Sequence, residues 1–337
     1  MSEQSPIVGI TMGDPGGIGP EVIVKAYPTL RERARPVVIG DADVIEAAID
    51  VCETDLSVER VEDVADASFA SERVPVLDLD NVEELIRGEV RQEYGAASLA
   101  YIERAIELAK NGTIDAITTA PINKQATKLA GSEYAGHTGM LADHTDTENY
   151  SMMLVEDELR VTHVSTHVPL REACDLVTEE NVLSTIRLTN EALSDLGLES
   201  PSIAVAGLNP HASDGGLLGE EDGSEIEPAV ERAQSEGIDA EGPESPDTVY
   251  VRAARGEFDC VVSMYHDEGH IPIKMLGFAG GEAVSGVNVT IGLPIIRTSV
   301  DHGTAFDIAG EGIASERSLI DAVDVAVDMA PARGTDR

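Results

Sequence analysis

The sequence predicts an α/β fold with a largely parallel sheet, built as two compact units around a cleft. Three observations predict it: short apolar runs alternate with amphipathic helices, polar residues collect just past the runs, and 337 residues exceed one typical domain. The segment Pro6 to Met12 reads as a buried strand. It enters the turn Gly13 to Pro20, and a helix follows from Glu21, with Pro20 in the first turn where its missing N–H costs nothing. Pro36 to Gly40 is a second strand, and residues 41–81 form an acidic stretch of shorter periodic pieces. From Tyr94 to Lys110, Leu99, Ile102, Ile106 and Ala109 share one helical face, and Gly112 lies past the end. Ile114 to Thr119 is a strand closed by Pro121. Further strands are expected at 159–166, 202–207 and 259–264, with helices at about 179–196 and 225–236 between them. A helix and polar tail begin at Ser315. No repeat and no linker rich in Pro and Ser divides the chain, so the two units must be joined by short crossings.

Charge narrows the partners. Lys and Arg total 23 against 63 Asp and Glu, a formal net charge of −40. Nucleic acid and anionic membrane would be repelled. The carboxylates suit either a highly solvated surface in a salt-rich cytoplasm or a patch for a basic partner; their even spread favours the first. Aromatic residues are only 3%, with no Trp, which also points to an adapted surface. Cys52, Cys174 and Cys260 are too few and scattered for a disulfide scaffold or a cysteine zinc site. No basic n-region opens the sequence, and nothing approaches the ~20 apolar residues of a membrane span. A cytoplasmic protein is expected.

Of eight histidines, three share an address. His167 follows the strand ending at Thr166, His211 follows Ile203 to Ala206 through Gly-Leu-Asn-Pro, and His266 follows Val261 to Met264 through Tyr265. Ligands of open α/β sheets bind outside the carboxyl ends of the strands, and neutral imidazoles gathered there can hold a divalent cation with positions left open. Any one of them alone would be an ordinary loop histidine; the shared address favours the cation. Asp214 and Asp267 lie near enough in sequence to orient a ligand. His163 stands four residues before His167 on an alternating strand, where that spacing is about 13 Å, so both cannot hold one ion. His144 and His270 are expected in loops.

The Gly13 to Glu21 turn lacks the third glycine of a dinucleotide fingerprint, because Pro20 and Glu21 follow Gly17-Ile-Gly19. It is either a strand-to-helix turn that needs positive φ or a phosphate or cofactor contact. Asn123 and Lys124 end another strand; His137 and Thr138 follow a glycine; Lys274, Asn288 and Arg297 stand near short apolar runs. Basic groups are scarce in this chain, so these placements point to an anionic, phosphorylated substrate bound through charge-assisted hydrogen bonds.

Taken together, Gly13-Asp-Pro-Gly-Gly-Ile-Gly-Pro-Glu21, Thr119-Ala-Pro-Ile-Asn-Lys124, Gly136-His-Thr138, Thr166-His-Val-Pro-Leu170, Gly207-Leu-Asn-Pro-His-Ala212, Met264-Tyr-His-Asp267, Gly286-Val-Asn-Val-Thr290 and the run from Gly292 to Ala305 resemble the 4-hydroxythreonine-4-phosphate dehydrogenase family over nearly the whole chain. The first and last also resemble the wider isocitrate and isopropylmalate dehydrogenase group. The resemblance implies two α/β/α domains flanking a cleft, one from residues 1–125 plus 290–337 and one from 126–289, in a homodimer with active sites near the interface. It implies a divalent metal (zinc, magnesium, cobalt or manganese) on His167, His211 and His266. Substrate contacts fall on His137, Thr138, Lys274, Asn288 and Arg297, with Lys124, Asp247 and Asp267 as catalytic candidates. NAD or NADP would be met by Gly13, Asp14, His302, Gly303, Thr304, Ala305 and Asp307.

The implied chemistry is oxidation of a secondary alcohol followed by loss of CO₂ from the β-keto acid. Some features depart from the biosynthetic enzyme. The loop Met275 to Val287 is longer, and Asn123 and Gly139-Met140 look more like paralogues acting on erythronate or threonate 4-phosphate. A metal-dependent phosphatase or hydrolase using the same histidines is the alternative of a different class.

Overall fold

The structure, a computed structural model, describes residues 5–69, 72–134, 136–279 and 286–334. Its strands, in chain order, are β1 (Ile7–Thr11), β2 (Arg35–Gly40), β3 (Ser57–Val61), β4 (Arg73–Asp78), β5 (Ala116–Thr119), β6 (Ser151–Glu156), β7 (Leu159–His163), β8 (Ser202–Ala206), β9 (Asp239–Glu244), β10 (Cys260–Ser263), β11 (Val287–Ile291) and β12 (Ile296–Val300). The helices are α1 (Gly19–Arg33), α2 (Ala42–Val51), α3 (Gln92–Lys110), α4 (Lys124–Leu129), α5 (His137–His144), α6 (Leu170–Leu176), α7 (Glu179–Asp195), α8 (Glu227–Ser235), α9 (Val249–Ala253), α10 (His266–Ala279) and α11 (Arg317–Gly334).

The twelve strands among the described residues join one sheet in the order β3-β4-β2-β1-β5-β12-β11-β6-β7-β10-β8-β9. From β3 to β12 the pairings are parallel, and from β7 to β9 they are parallel again. Only the centre, β12-β11-β6-β7, is antiparallel. Loop length explains this. A parallel return needs a dozen or more residues, whereas β6 and β7 are separated by Asp157 and Glu158 alone, with Asp157 at φ 48. The turn between β11 and β12 is similarly short and carries Gly292 at φ +88.

The sheet's outer wings therefore follow α/β rules, with buried Val- and Ile-rich strands covered by helices. In α1, Val22, Ile23, Val24, Ala26, Tyr27 and Leu30 are all buried, because α2 and α11 pack over it. The last helix, α11, also lies on β5 and β12, so both chain ends build one wing.

The amphipathic stripe read at 94–110 is α3. The strand expected at 159–166 ends earlier, at His163. His144 and His270, expected in loops, are helical, at the end of α5 and within α10. The longer loop expected from Met275 to Val287 is helical as far as Ala279, and its residues 280–285 lie outside the described residues. No helix among the described residues is long and apolar enough to cross a membrane.

Candidate active site

Strands β7, β10 and β8 are parallel neighbours, so His167, His266 and His211 leave the same edge of the sheet. His167 lies four residues past β7, and His266 opens α10 three residues past β10. Their ring centroids are 5.6 Å apart. Behind them His270 stacks on His266 at 3.6 Å, and His163, buried at the end of β7, lies 4.9 Å from His270. Asp267 Oδ1 is 2.7 Å from His266 Nδ1; accepting a proton there leaves the lone pair on Nε2. His167 is held below its usual pKa by partial burial first, then by the charges of Lys124 and His266. This donor chemistry suits a divalent ion. Among the described residues, however, no three His, Cys, Asp or Glu side chains are placed to hold an ion together.

His211 stands instead beside Asp247, with 3.7 Å from Nδ1 to the carboxylate, both side chains exposed. It rides on an unusual turn. His211, Ala212, Ser213 and Asp214 have φ of 55, 51, 62 and 44, a left-handed run that non-glycine residues hold only when their surroundings enforce it. The enforcing group is Asp222, which is buried. Its carboxylate accepts from Leu208 N (2.8 Å), Asn209 N (3.3 Å), Asn209 Nδ2 (2.7 Å) and the Ser213 hydroxyl. Sequence reasoning passed over Asp222. It acts across a loop from within an acidic stretch, and only the order-inducing Asn209-Pro210 hinted at a built turn.

A second constellation lies where β5, β12 and β11 adjoin. Arg297 is 2% exposed, yet it makes no ion pair among the described residues. Its Nη2 donates to Thr119 Oγ1 (2.7 Å) and its Nη1 to Thr290 Oγ1 (3.1 Å), while Nε is buried without a partner. Burial without a counter-charge pushes the guanidinium down to about 9. His137, at the start of α5, has a buried and unpartnered Nε2. Burial, then Arg297, then Lys124, hold its pKa well below the ordinary histidine value. Lys124 thus lies near both His137 and His167. Asn123 beside it has a structural role, since its side chain caps α4 by accepting from Gln125 N and Ala126 N. Asn288 adds a buried, unpartnered Oδ1 from β11. Lys274 is already engaged, donating to the Asp301 carboxylate. Thr138 is half-buried in α5.

The third constellation joins the first and last motifs. A Cβ on Gly13, at φ +76, would sit 2.3 Å from the Pro121 carbonyl, and one on Gly17 would sit 3.0 Å from Thr304. Ile18 N donates to the Thr304 carbonyl (3.1 Å). The buried Glu21 carboxylate accepts from Gly310 N (2.6 Å) and Gly312 N (2.8 Å), which ties the loop after His302 to α1. Asp14 accepts from Gly16 N (2.9 Å), but its Oδ2 is buried and unpartnered. Burial raises its pKa to about 6, offset in part by the Gly16 bond. His302, Ala305 and Thr304 are half-exposed on this loop, with Gly303 and Asp307 exposed.

The geometry therefore offers a buried guanidinium with no ion pair among the described residues, a partial imidazole set and a glycine-lined loop pair. Residues 32–326 match the model of the family described as pyridoxal phosphate biosynthetic protein PdxA. The chain is 47% identical to the D-threonate 4-phosphate dehydrogenase of Cupriavidus necator, over 99% of this chain and 100% of that one. It is 45% identical to the 4-hydroxythreonine-4-phosphate dehydrogenase of Desulforapulum autotrophicum, over 100% and 99%. The crystal structure of 4-hydroxythreonine-4-phosphate dehydrogenase from Klebsiella pneumoniae superposes with a TM-score of 0.88 at 40% identity, covering 98% of this chain and 99% of that chain.

Proposed function

The chain belongs to the family of pyridoxal phosphate biosynthetic protein PdxA, and from that premise we propose that it oxidises and decarboxylates a phosphorylated four-carbon hydroxy acid. The leading substrate is 4-hydroxy-L-threonine 4-phosphate, giving 3-amino-2-oxopropyl phosphate, with NAD or NADP as oxidant. The observation that carries this reading is Arg297: in a chain with 63 carboxylates, a buried guanidinium makes no ion pair among the described residues and lies instead near His137. Such a group awaits an anion from outside the protein. The similarity to the Cupriavidus enzyme favours a second reading within the family, D-threonate or D-erythronate 4-phosphate, in which a hydroxyl replaces the substrate amine.

A bound divalent ion supplies Lewis acidity at the substrate hydroxyl, and a bound nicotinamide supplies the hydride acceptor. The rest falls to the chain. Arg297, His137, Thr138, Asn288 and Lys274 bind and orient the anionic groups. Asp267 holds the ring of His266 in one tautomer, and Asp222 holds the turn that presents His211. Lys124, Asp247 and Asp267 remain the candidates for taking the hydroxyl proton. Of these, Lys124 makes no ion pair among the described residues, and its charge acts on both His137 and His167. The loop from His302 to Asp307, with Gly13 and Asp14, meets the nucleotide.

Two further expectations belong to this reading. The two parallel wings of the sheet are taken as the two domains, residues 1–125 plus 290–337 and residues 126–289. Val168, Leu170, Leu217, Leu218, Ile271 and Met275 are exposed around the histidines, and a homodimer that covers them would bring the missing metal ligand from a second copy. The even spread of carboxylates favours a salt-rich cytoplasm as the enzyme's setting.

The test mixes purified protein, Mg²⁺ or Zn²⁺, NAD or NADP and each of the three 4-phosphates, and follows nicotinamide reduction alongside CO₂ release. Reduction with one substrate supports the proposal and identifies that substrate. Phosphate release without nicotinamide reduction refutes it in favour of the hydrolase.

A further inference from the structure

A guanidinium inside a sheet ordinarily carries a carboxylate, because a desolvated charge is otherwise uncompensated. Even partly exposed cations of this chain carry a carboxylate: Arg60 pairs with Asp78, Arg252 with Glu244, and Lys274 with Asp301. Arg297 breaks it, and the strand register explains how. On β12, Arg297 lies opposite Thr290 of β11 and beside Ile117 of β5. Side chains alternate faces along a strand, so Thr119, two residues past Ile117, shares the face of Arg297. Thr118 and Thr298 take the other face, where their hydroxyls meet at 2.9 Å and Thr298 donates to the Ala322 carbonyl. The two hydroxyls on the Arg297 face each accept one guanidinium hydrogen bond, and they carry no charge.

We propose that Thr119 and Thr290 are positioning residues that determine specificity: they form a neutral cradle that aims the Arg297 guanidinium at the substrate phosphate and leaves its charge undivided. A carboxylate in either place would fix the fork equally well, but it would close an internal salt bridge and surrender the site to the protein's own anion. A purely apolar neighbour would leave the planar fork without orientation. Threonine supplies the acceptor without the charge. The deficit is made up when the ligand arrives, so affinity for a doubly charged phosphate is gained at the position where folding leaves a cation uncompensated. This inference rests on the reading of Arg297 as a substrate contact.

Inorganic phosphate serves as the probe, so the outcome does not depend on which four-carbon acid is the substrate. Its binding to the full chain is measured by calorimetry for the parent and for Thr119→Val, Thr290→Val, Thr119→Ser, Thr290→Ser and Arg297→Met. Nicotinamide binding is measured on the same samples. The valine variants are expected to weaken phosphate about tenfold or more, as loss of a hydrogen bond to a charged group implies. Nicotinamide affinity should be unchanged, and the serine variants should bind phosphate like the parent. Alanine variants replace the valine ones if these fail to fold. Phosphate binding by folded valine or alanine variants within about twofold of the parent, or serine variants as weak as the valine ones, would overturn the cradle. If Arg297→Met binds phosphate like the parent, the substrate reading of Arg297 fails instead.

Discussion

Replacing Glu21 by Gln tests whether the proposed nucleotide contacts are separable from the proposed substrate contacts. Glu21 Oε1 accepts from Gly310 N and Oε2 from Gly312 N, each within 2.8 Å, in a buried setting. Gln retains one acceptor oxygen but turns an NH₂ group toward the other backbone donor. One charge-assisted bond, worth about 1.5–3 kcal/mol, is lost, and a buried N–H is left facing another donor. The net cost is about 2 kcal/mol, which for a chain of this size lowers the melting temperature by roughly 3 °C. The loosened segment follows His302 to Asp307, so the KM for NAD or NADP should rise several-fold. The substrate KM should hold, because Arg297 and His137 sit on other elements. Initial-rate kinetics with each substrate varied in turn, together with thermal melts, give both readouts. A variant whose substrate KM rises as much as its nicotinamide KM would refute the reasoning, since the clamp would then not be local to the loop.

Two further outcomes are expected. Asp14 holds its proton more tightly folded (about 6) than unfolded (3.8), so the folded state loses stability as pH rises through that window and does not regain it above. Asp14→Asn cannot ionise and keeps the acceptor for Gly16 N; its advantage over the parent should grow between about pH 4 and 6 to at most ~3 kcal/mol, as roughly two pKa units imply. Denaturant titrations across that range check this, and a constant offset at every pH would count against it. The −40 charge predicts that the melting temperature rises as NaCl goes from tenths of molar to molar, through screening of self-repulsion; a flat or falling trend would rule against salt adaptation.

Legibility in the sequence depends on how local each cause is. Helix α3 is legible because its apolar stripe and following glycine act over a few residues. Strand β6, Ser-Met-Met-Leu-Val-Glu, is not, because a strand buried on both faces shows no alternation. The shared edge of the three histidines can be inferred from strand ends. Which of them meet cannot, since that depends on loops whose shape is set at a distance, as Asp222 sets the turn at His211. The basic candidates Lys124, Lys274 and Arg297 are visible through scarcity, but the threonine partners of Arg297 are not: Thr119 and Thr290 join it only through strand register. The helical setting of His270 is hidden because α10 starts at His266 itself, preceded by Tyr265 rather than by Ser, Thr, Asp or Asn.

The place of β12 has a consequence for how the protein is made. This strand, from near the end of the chain, slots between β5 and β11, and α11 then closes over it. During synthesis β1 to β5 emerge long before their neighbour exists. Until Ile296 to Val300 leave the ribosome, β5 presents a bare hydrogen-bonding edge of wholly buried type, the kind of edge that recruits other chains. The growing chain must be shielded through that interval. A product truncated anywhere before Ile296 would keep the open edge for good, and would aggregate rather than survive as a smaller folded unit.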